Sequence, residues 1–239
     1  CSRNEDRMSE SRRTWQDLIL PWATFFSMLA AIFMVFLLVP SERDQGIVQR
    51  IFYFHVNLAW MAFGGFALVA GMSAWFLRTG SRRADRLAHA NAEVGMLYTT
   101  LVLVTGPIWA RPIWGVWWTW DPRLTMTVVL WAIYAAYLML RRLGGEDDTI
   151  LRYAAVLGIV GSLDIPLLIL AVRLWRGVHP AVMLNDDPDA GLKDPMMGWT
   201  LMVSALALGL LFTWRVSLRA RLLAVDAIVA ATHLEGARS

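Results

Sequence analysis

Cysteine is almost missing from this 239-residue chain; Cys1 is the one copy. A single thiol excludes a disulfide framework and any metal site built from several cysteines. Charge is scarce too, at 17% of residues against 57% hydrophobic. That balance is too apolar for an ordinary soluble domain, which carries about 25% charged residues. No Walker A sequence is present, so transport driven by the chain's own ATP hydrolysis is excluded. Neither a Ser/His/Asp arrangement nor a metalloprotease motif occurs, and there is no internal repeat or low-complexity linker.

What is present is a series of long apolar runs. Leu18–Ser41 and Ile51–Leu77 contain no Asp, Glu, Lys or Arg. Val94–Ala110 and Leu124–Leu140 are shorter clean runs, Tyr153–Val172 is interrupted only by Asp164, and Pro195–Trp214 is clean. A bilayer-spanning helix needs roughly 20 apolar residues. The runs therefore predict an all-α polytopic membrane protein with six transmembrane helices in one domain over residues 1–239. No room is left for a separate soluble domain.

The distribution of positive charge predicts orientation. Fifteen of the 22 basic residues fall on the side shared by the two termini and the even loops. They are Arg3, Arg7, Arg12 and Arg13; Arg78, Arg82, Arg83 and Arg86; Arg141, Arg142 and Arg152; and Arg215, Arg219, Arg221 and Arg238. Arg43, Arg50, Arg111, Arg123, Arg173, Arg176 and Lys193 lie on the other side. The positive-inside rule then places both termini in the cytoplasm. The basic segment after Cys1 argues against a lipid-modified cysteine, and Met8 reads as a start. The first apolar run is long enough to span and lacks a small-residue cleavage site, so no cleavable signal peptide is expected. The basic C-terminal tail reads as a topology signal, with no nucleic-acid partner.

Helix three is expected from about Leu87 to Ile108, and a tryptophan-rich external loop from about 109 to 123. A kink is expected at Pro166 in helix five, and a short amphipathic helix at Arg215–His233. Five of the thirteen tryptophans, Trp109, Trp114, Trp117, Trp118 and Trp120, crowd the loop, with Gly115, Asp121-Pro122-Arg123 and Arg111. Interfacial tryptophans form belts at the headgroup level, but a belt needs neither the glycine nor the Asp-Pro-Arg. The cluster is better read as a platform for a large, flat, partly apolar ligand with anionic groups, and haem has that chemistry. Arg50, Arg111 and Arg123 are on the same side, and guanidinium forks suit propionates; for Arg111 a lipid headgroup is an equal alternative. Asp121 shapes the loop or orders an arginine, or caps helix four with Pro122 at the first helical position, and the two roles are compatible.

Four histidines are available. His55 lies near the outer end of helix two and His179 just beyond helix five, both on the side of the loop. Two imidazoles from separate elements can bind haem iron from opposite faces; each alone also reads as a polar interfacial anchor. His89 is on the other side and reads as structural or interfacial, and His233 as solvated. Glu93 is near a helix end and reaches towards the surface. Asp164 is deeper, with three readings open: a hydrogen bond to Ser162, a proton site, or a helix contact. No Cys-x-x-Cys-His run occurs, so covalent c-type haem attachment to this chain is excluded.

Trp114-Gly-Val-Trp117-Trp118-Thr-Trp120-Asp121-Pro122-Arg123-Leu124-Thr125 resembles the tryptophan-rich signature of the haem-handling proteins of cytochrome c biogenesis. Within that superfamily, the length, the six predicted helices, Leu101–Trp109 and Tyr53-Phe54-His55-Val56 with Ala59-Trp60-Met61 look like the CcmC family, haem exporter protein C. The chain departs from the family in Leu174-Trp175-Arg176-Gly177-Val178-His179-Pro180, where the family has adjacent tryptophans and a Thr-Leu-His ending. The resemblance implies haem b, held transiently at the periplasmic face by His55 and His179 over a floor running from Trp114 to Arg123. It implies a multi-pass protein of the bacterial inner membrane that is not an enzyme and delivers haem to a periplasmic chaperone, CcmE. A small membrane subunit, CcmD, the ABC transporter subunits CcmA and CcmB, and membrane lipid would be its partners. Two alternatives are a haem lyase acting directly on apocytochrome, whose relatives have more helices, and a b-type electron-transfer subunit, which would place its ligands within the bundle.

Overall fold

A computed structural model describes residues 15–42, 45–145, 147–174 and 194–236. Among them every regular element is helical, apart from one isolated bridge between Glu42 and Gly46. Six helical segments are long and apolar enough to cross a membrane: Asp17–Leu38, Ile47–Thr79, Arg82–Trp114, Pro122–Gly144, Asp148–Leu170 and Pro195–Val229. The protein is thus the all-α, six-span membrane protein that its apolar runs predict.

Helix α1 (Leu20–Phe33) is flanked by π turns at Trp15–Ile19 and Met34–Leu38. The second π turn closes with Val39 N–H donating to Met34 O at 2.8 Å. Proline explains the irregular ending. The carbonyl of Phe36 would bond the amide four residues on, but Pro40 has no N–H. Arg50, the first residue of α2 (Arg50–Thr79), supplies the missing donor through Nη1 at 3.0 Å.

Helix α3 (Arg82–Trp114) contains Pro107 and Pro112 and runs six residues past the end expected at Ile108. Membrane helices tolerate proline when nearby groups re-satisfy the freed carbonyls. The stop is Gly115, whose φ of 74° few side-chain-bearing residues adopt. Trp109, Arg111 and Trp114 are accordingly helical residues, and the loop proper is Gly115–Asp121. Helix α4 (Pro122–Gly144) starts as its sequence predicts. Asp121 Oδ1 accepts from Leu124 N–H at 3.0 Å, Pro122 is in the first turn, and Thr119 Oγ1 donates to Asp121 Oδ2 at 3.0 Å.

Asp147 caps α5 (Asp148–Ser162), accepting from Thr149 N–H at 2.8 Å and Ile150 N–H at 3.2 Å. The kink expected from Pro166 falls at one turn residue, Leu163, which keeps right-handed helical dihedrals (φ −67°, ψ −18°) between α5 and α6 (Asp164–Leu174). The Pro166 ring would clash with the carbonyl of Ser162, four residues back, and Ser162 is where α5 ends. Ser162 Oγ donates to Ile159 O at 2.7 Å, so the partner considered for the buried Asp164 is engaged on its own helix. The last element, α7, is one helix from Pro195 to Gly236. The separate amphipathic helix expected after Trp214 is a continuation of it.

Packing divides the chain into two compact units. The first draws on Cys1–Leu58, Val104–Trp118 and His179–Trp214; the second on Ala59–Leu103, Thr119–Val178 and Arg215–Ser239. The core of the first gathers Val35, Val39, Phe52, Tyr53, Trp109, Met197 and Leu201. Asn57 Nδ2 ties it together, donating to Tyr53 O at 2.7 Å and to Leu201 O at 3.2 Å. In the second unit Phe66 stacks on Tyr134 at 3.7 Å between centroids, and the Tyr134 hydroxyl donates to Gly158 O at 3.0 Å.

The second unit also buries a charge network. Arg141 grips Asp85 with two bonds of 2.6 and 2.9 Å, with side chains only 4% and 5% exposed. His89 lies beside it, Nδ1 at 3.4 Å from Arg141 Nη2 and Nε2 at 3.3 Å from Glu93 Oε1. Glu93 pairs in turn with Arg219, one bond being 2.9 Å. His89 is structural, as read, and Glu93 is partnered rather than simply solvated. Removing one member of a buried pair strands the other charge and costs about 3–5 kcal/mol, whereas removing both is often close to neutral. Arg141→Leu should therefore lower the unfolding temperature in detergent sharply, and Asp85→Leu combined with Arg141→Leu should recover most of the loss. Equal losses in the single and double variants would refute the pairing.

Candidate functional site

The contacts of His55 with Thr105, Gly106 and Trp109 all lie within the first unit. His55 is on the second turn of α2, and its ring lies against α3. Its Nδ1 is 2.8 Å from Thr105 Oγ1. The next residue, Gly106, leaves room for the ring, since a Cβ there would come within 3.3 Å of His55 Cε1. One turn further on, Trp109 meets the imidazole edge to face, with centroids 5.6 Å apart and planes at 62°. Thr105 and Trp109 are four residues apart and so share a helix face. That face gives His55 a polar partner on one side and an indole on the other.

Further contacts hold the indole. Trp109 Nε1–H donates to Gln45 Oε1 at 3.1 Å, Phe52 packs at 6.0 Å, and Trp114 follows at 6.5 Å. Trp109 is 2% exposed and His55 7%, so the imidazole is enclosed rather than displayed. Gln49 Nε2 donates to the Tyr53 hydroxyl at 2.8 Å, next to this wall. Two buried polar atoms, Gln49 Oε1 and Arg50 Nε, have no hydrogen-bond partner among the described residues. Arg50 thus splits its guanidinium, with Nη1 on the Phe36 carbonyl and Nε unengaged. Arg111 is exposed and closes the end of α3, its Nη1 donating to Gly115 O while Gly115 N–H returns to Arg111 O at 3.0 Å.

The sequence-predicted residues fall into three groups. His55, Arg50, Arg111, Trp114, Gly115, Trp117 and Trp118 belong to the first unit, with Trp117 exposed and Trp118 half-buried. Trp120, Asp121 and Arg123 belong to the second, where Trp120 is 74% exposed and Asp121 serves as a helix cap. His179 lies outside the described residues. Sequence reasoning did not single out Thr105, Gly106 or Gln45. The signal for the first two was the spacing from Thr105 to Trp109; nothing local marks Gln45, which meets Trp109 across 64 residues.

Among the described residues no group of three or more His, Cys, Asp or Glu is arranged for a bare metal ion. His55 meets Thr105 and Trp109, and Arg50, whose Nε is unengaged, begins the same helix. The family model described as CcmC, heme exporter protein C, matches residues 5–234. The chain belongs to the haem exporter protein C family. It is 31% identical over 208 residues to the heme exporter protein C of Rhodobacter capsulatus, covering 85% of each chain. Against that of Bradyrhizobium diazoefficiens it is 32% identical over 197 residues, 81% of this chain and 74% of the relative. It is also 35% identical over 172 residues to a putative cytochrome c biosynthesis ccmC-like mitochondrial protein of Arabidopsis thaliana, covering 72% of this chain and 64% of that one.

The helix stop at Gly115 is testable. A side chain forced into this left-handed conformation costs about 1–2 kcal/mol. Gly115→Ala should therefore speed amide hydrogen exchange in the last turn of α3 about tenfold and leave α2 unchanged. Unaltered exchange would show that Gly115 does not hold the helix end.

Proposed function

We propose that this protein binds haem at the external face of the bacterial inner membrane and passes it to a periplasmic haem chaperone, CcmE, during c-type cytochrome maturation. The observation that carries the proposal is His55, a buried imidazole set against Trp109 and Thr105 in a chain of the haem exporter protein C family. In this reading His55 and His179 supply the two axial nitrogens of a transiently held haem b. Trp114, Trp117, Trp118 and Trp120 face the porphyrin, with Gly115 and Asp121 shaping the loop. Arg50, Arg111 and Arg123 receive the propionates, to which a guanidinium offers paired donors. The unengaged Arg50 Nε supports its part in this.

The cytoplasmic placing of both termini follows from the excess of arginine on their side. CcmD and the transporter subunits CcmA and CcmB are the membrane partners that the family implies. The protein acts as a delivery component, and the covalent bond is made on the chaperone. Because His55 is only 7% exposed, haem reaches its ring only if the residues packed over it move aside. A delivery site benefits from this arrangement, since the cover that opens to load haem also opens to release it. A b-type electron-transfer subunit has no use for such an opening, because its haem stays in place.

Detergent-purified protein from cells supplied with haem, with its partners co-expressed, should show the absorption of a low-spin, bis-histidine haem in both oxidation states. His55→Ala and His179→Ala should each weaken or abolish it. A spectrum that is absent from the wild type, or unchanged in both variants, would remove the ligand assignment.

A further inference from the structure

The ring contact at α3 decides which nitrogen of His55 is available to iron. Resting on the haem-ligand reading above, we infer that Thr105 is a positioning residue that selects Nε2 of His55 as the iron-binding nitrogen, with Gly106 as the seat that lets the ring reach it. Three observations from one helix face support this. Thr105 Oγ1 is 2.8 Å from Nδ1, Gly106 lies under Cε1 where a methyl group would approach to 3.3 Å, and Trp109 closes the edge of the ring at 5.6 Å.

The chemistry follows from the two tautomers of neutral imidazole. A hydroxyl can donate or accept, so the Thr105–His55 contact can be satisfied in two ways. If Thr105 donates to Nδ1, the ring proton is on Nε2 and neither nitrogen keeps a free lone pair for a metal. If Nδ1–H donates to Thr105, the lone pair lies on Nε2. Only the second arrangement binds iron, and the hydrogen bond then raises the basicity of the ligating nitrogen. Ligation through Nδ1 is blocked, because Thr105 holds that direction at hydrogen-bond distance. Gly106 and Trp109 limit the swing of the ring about its side-chain bonds, so the lone pair keeps one heading when haem arrives or leaves.

A cavity experiment separates this role from packing. In a His55→Gly protein, externally added imidazole can replace the missing ring, as can 1-methylimidazole. The two bind iron alike, but 1-methylimidazole has no N–H for Thr105 to accept. With Thr105 present, imidazole should restore the low-spin spectrum at about tenfold lower concentration than 1-methylimidazole, the size expected for a partner of a metal-ligating histidine. Adding Thr105→Val, which is close in size, should abolish that preference, and Thr105→Ser should keep it. In the chain with His55 intact, Thr105→Val should weaken haem binding about tenfold and Thr105→Ser should leave it near normal. If Thr105→Val does not accumulate, Thr105→Ala gives the same comparison.

A preference that survives Thr105→Val would be steric and would overturn the inference. So would unchanged haem affinity in Thr105→Val when His55→Ala has lost the ligand spectrum. That outcome leaves the ligand reading standing. A wild-type spectrum that persists in His55→Ala instead removes the ligand reading and this inference together.

Discussion

A polar group buried away from water costs free energy unless it is hydrogen-bonded, so buried donors and acceptors are drawn to partners within the protein. The structure is organised by that requirement. Pro40 frees the carbonyl of Phe36, and Arg50 crosses from the next helix to meet it. Asn57 spends its amide on two carbonyls, one in its own helix and one in α7. Asp85 and Arg141 are buried as a two-bonded pair. His55 meets Thr105 for the same reason.

From this the candidate site acquires its character. The face of α3 that satisfies one nitrogen of His55 also presents Trp109, and Gln45 fixes that indole in turn. Arg50, on the same helix as His55, keeps its Nε without a partner among the described residues. Haem brings four nitrogen donors of its own and asks the protein for one or two axial ligands, apolar walls and cations for its propionates.

Much of this was legible in the sequence, because the bilayer writes its constraints locally. Apolar runs about as long as the hydrocarbon is thick mark the spans, and Asp121-Pro122 announces the start of α4 in two residues. Boundaries were harder to read. Trp109–Trp114 reads as loop because indoles, an arginine and a proline interrupt the hydrophobic pattern, yet Gly115 is the true stop and the helix runs up to it. At Pro166 the sequence marks a kink but not its position, which depends on the clash with Ser162. The partners of His55 and Trp109 were out of reach of periodicity. Thr105 is 50 residues from His55 and Gln45 is 64 from Trp109, and only the folded chain brings them together.

The central claim, that histidine nitrogen from this chain binds haem iron and that His55 supplies one such nitrogen, is most directly tested by pulsed electron paramagnetic resonance. The ferric haem complex would be prepared from protein labelled with nitrogen-15 in histidine only. The account predicts labelled nitrogens coupled to low-spin iron from two axial imidazoles, and the loss of one in His55→Ala. Low-spin iron without labelled axial nitrogen, or a coupling pattern that His55→Ala leaves intact, would contradict it.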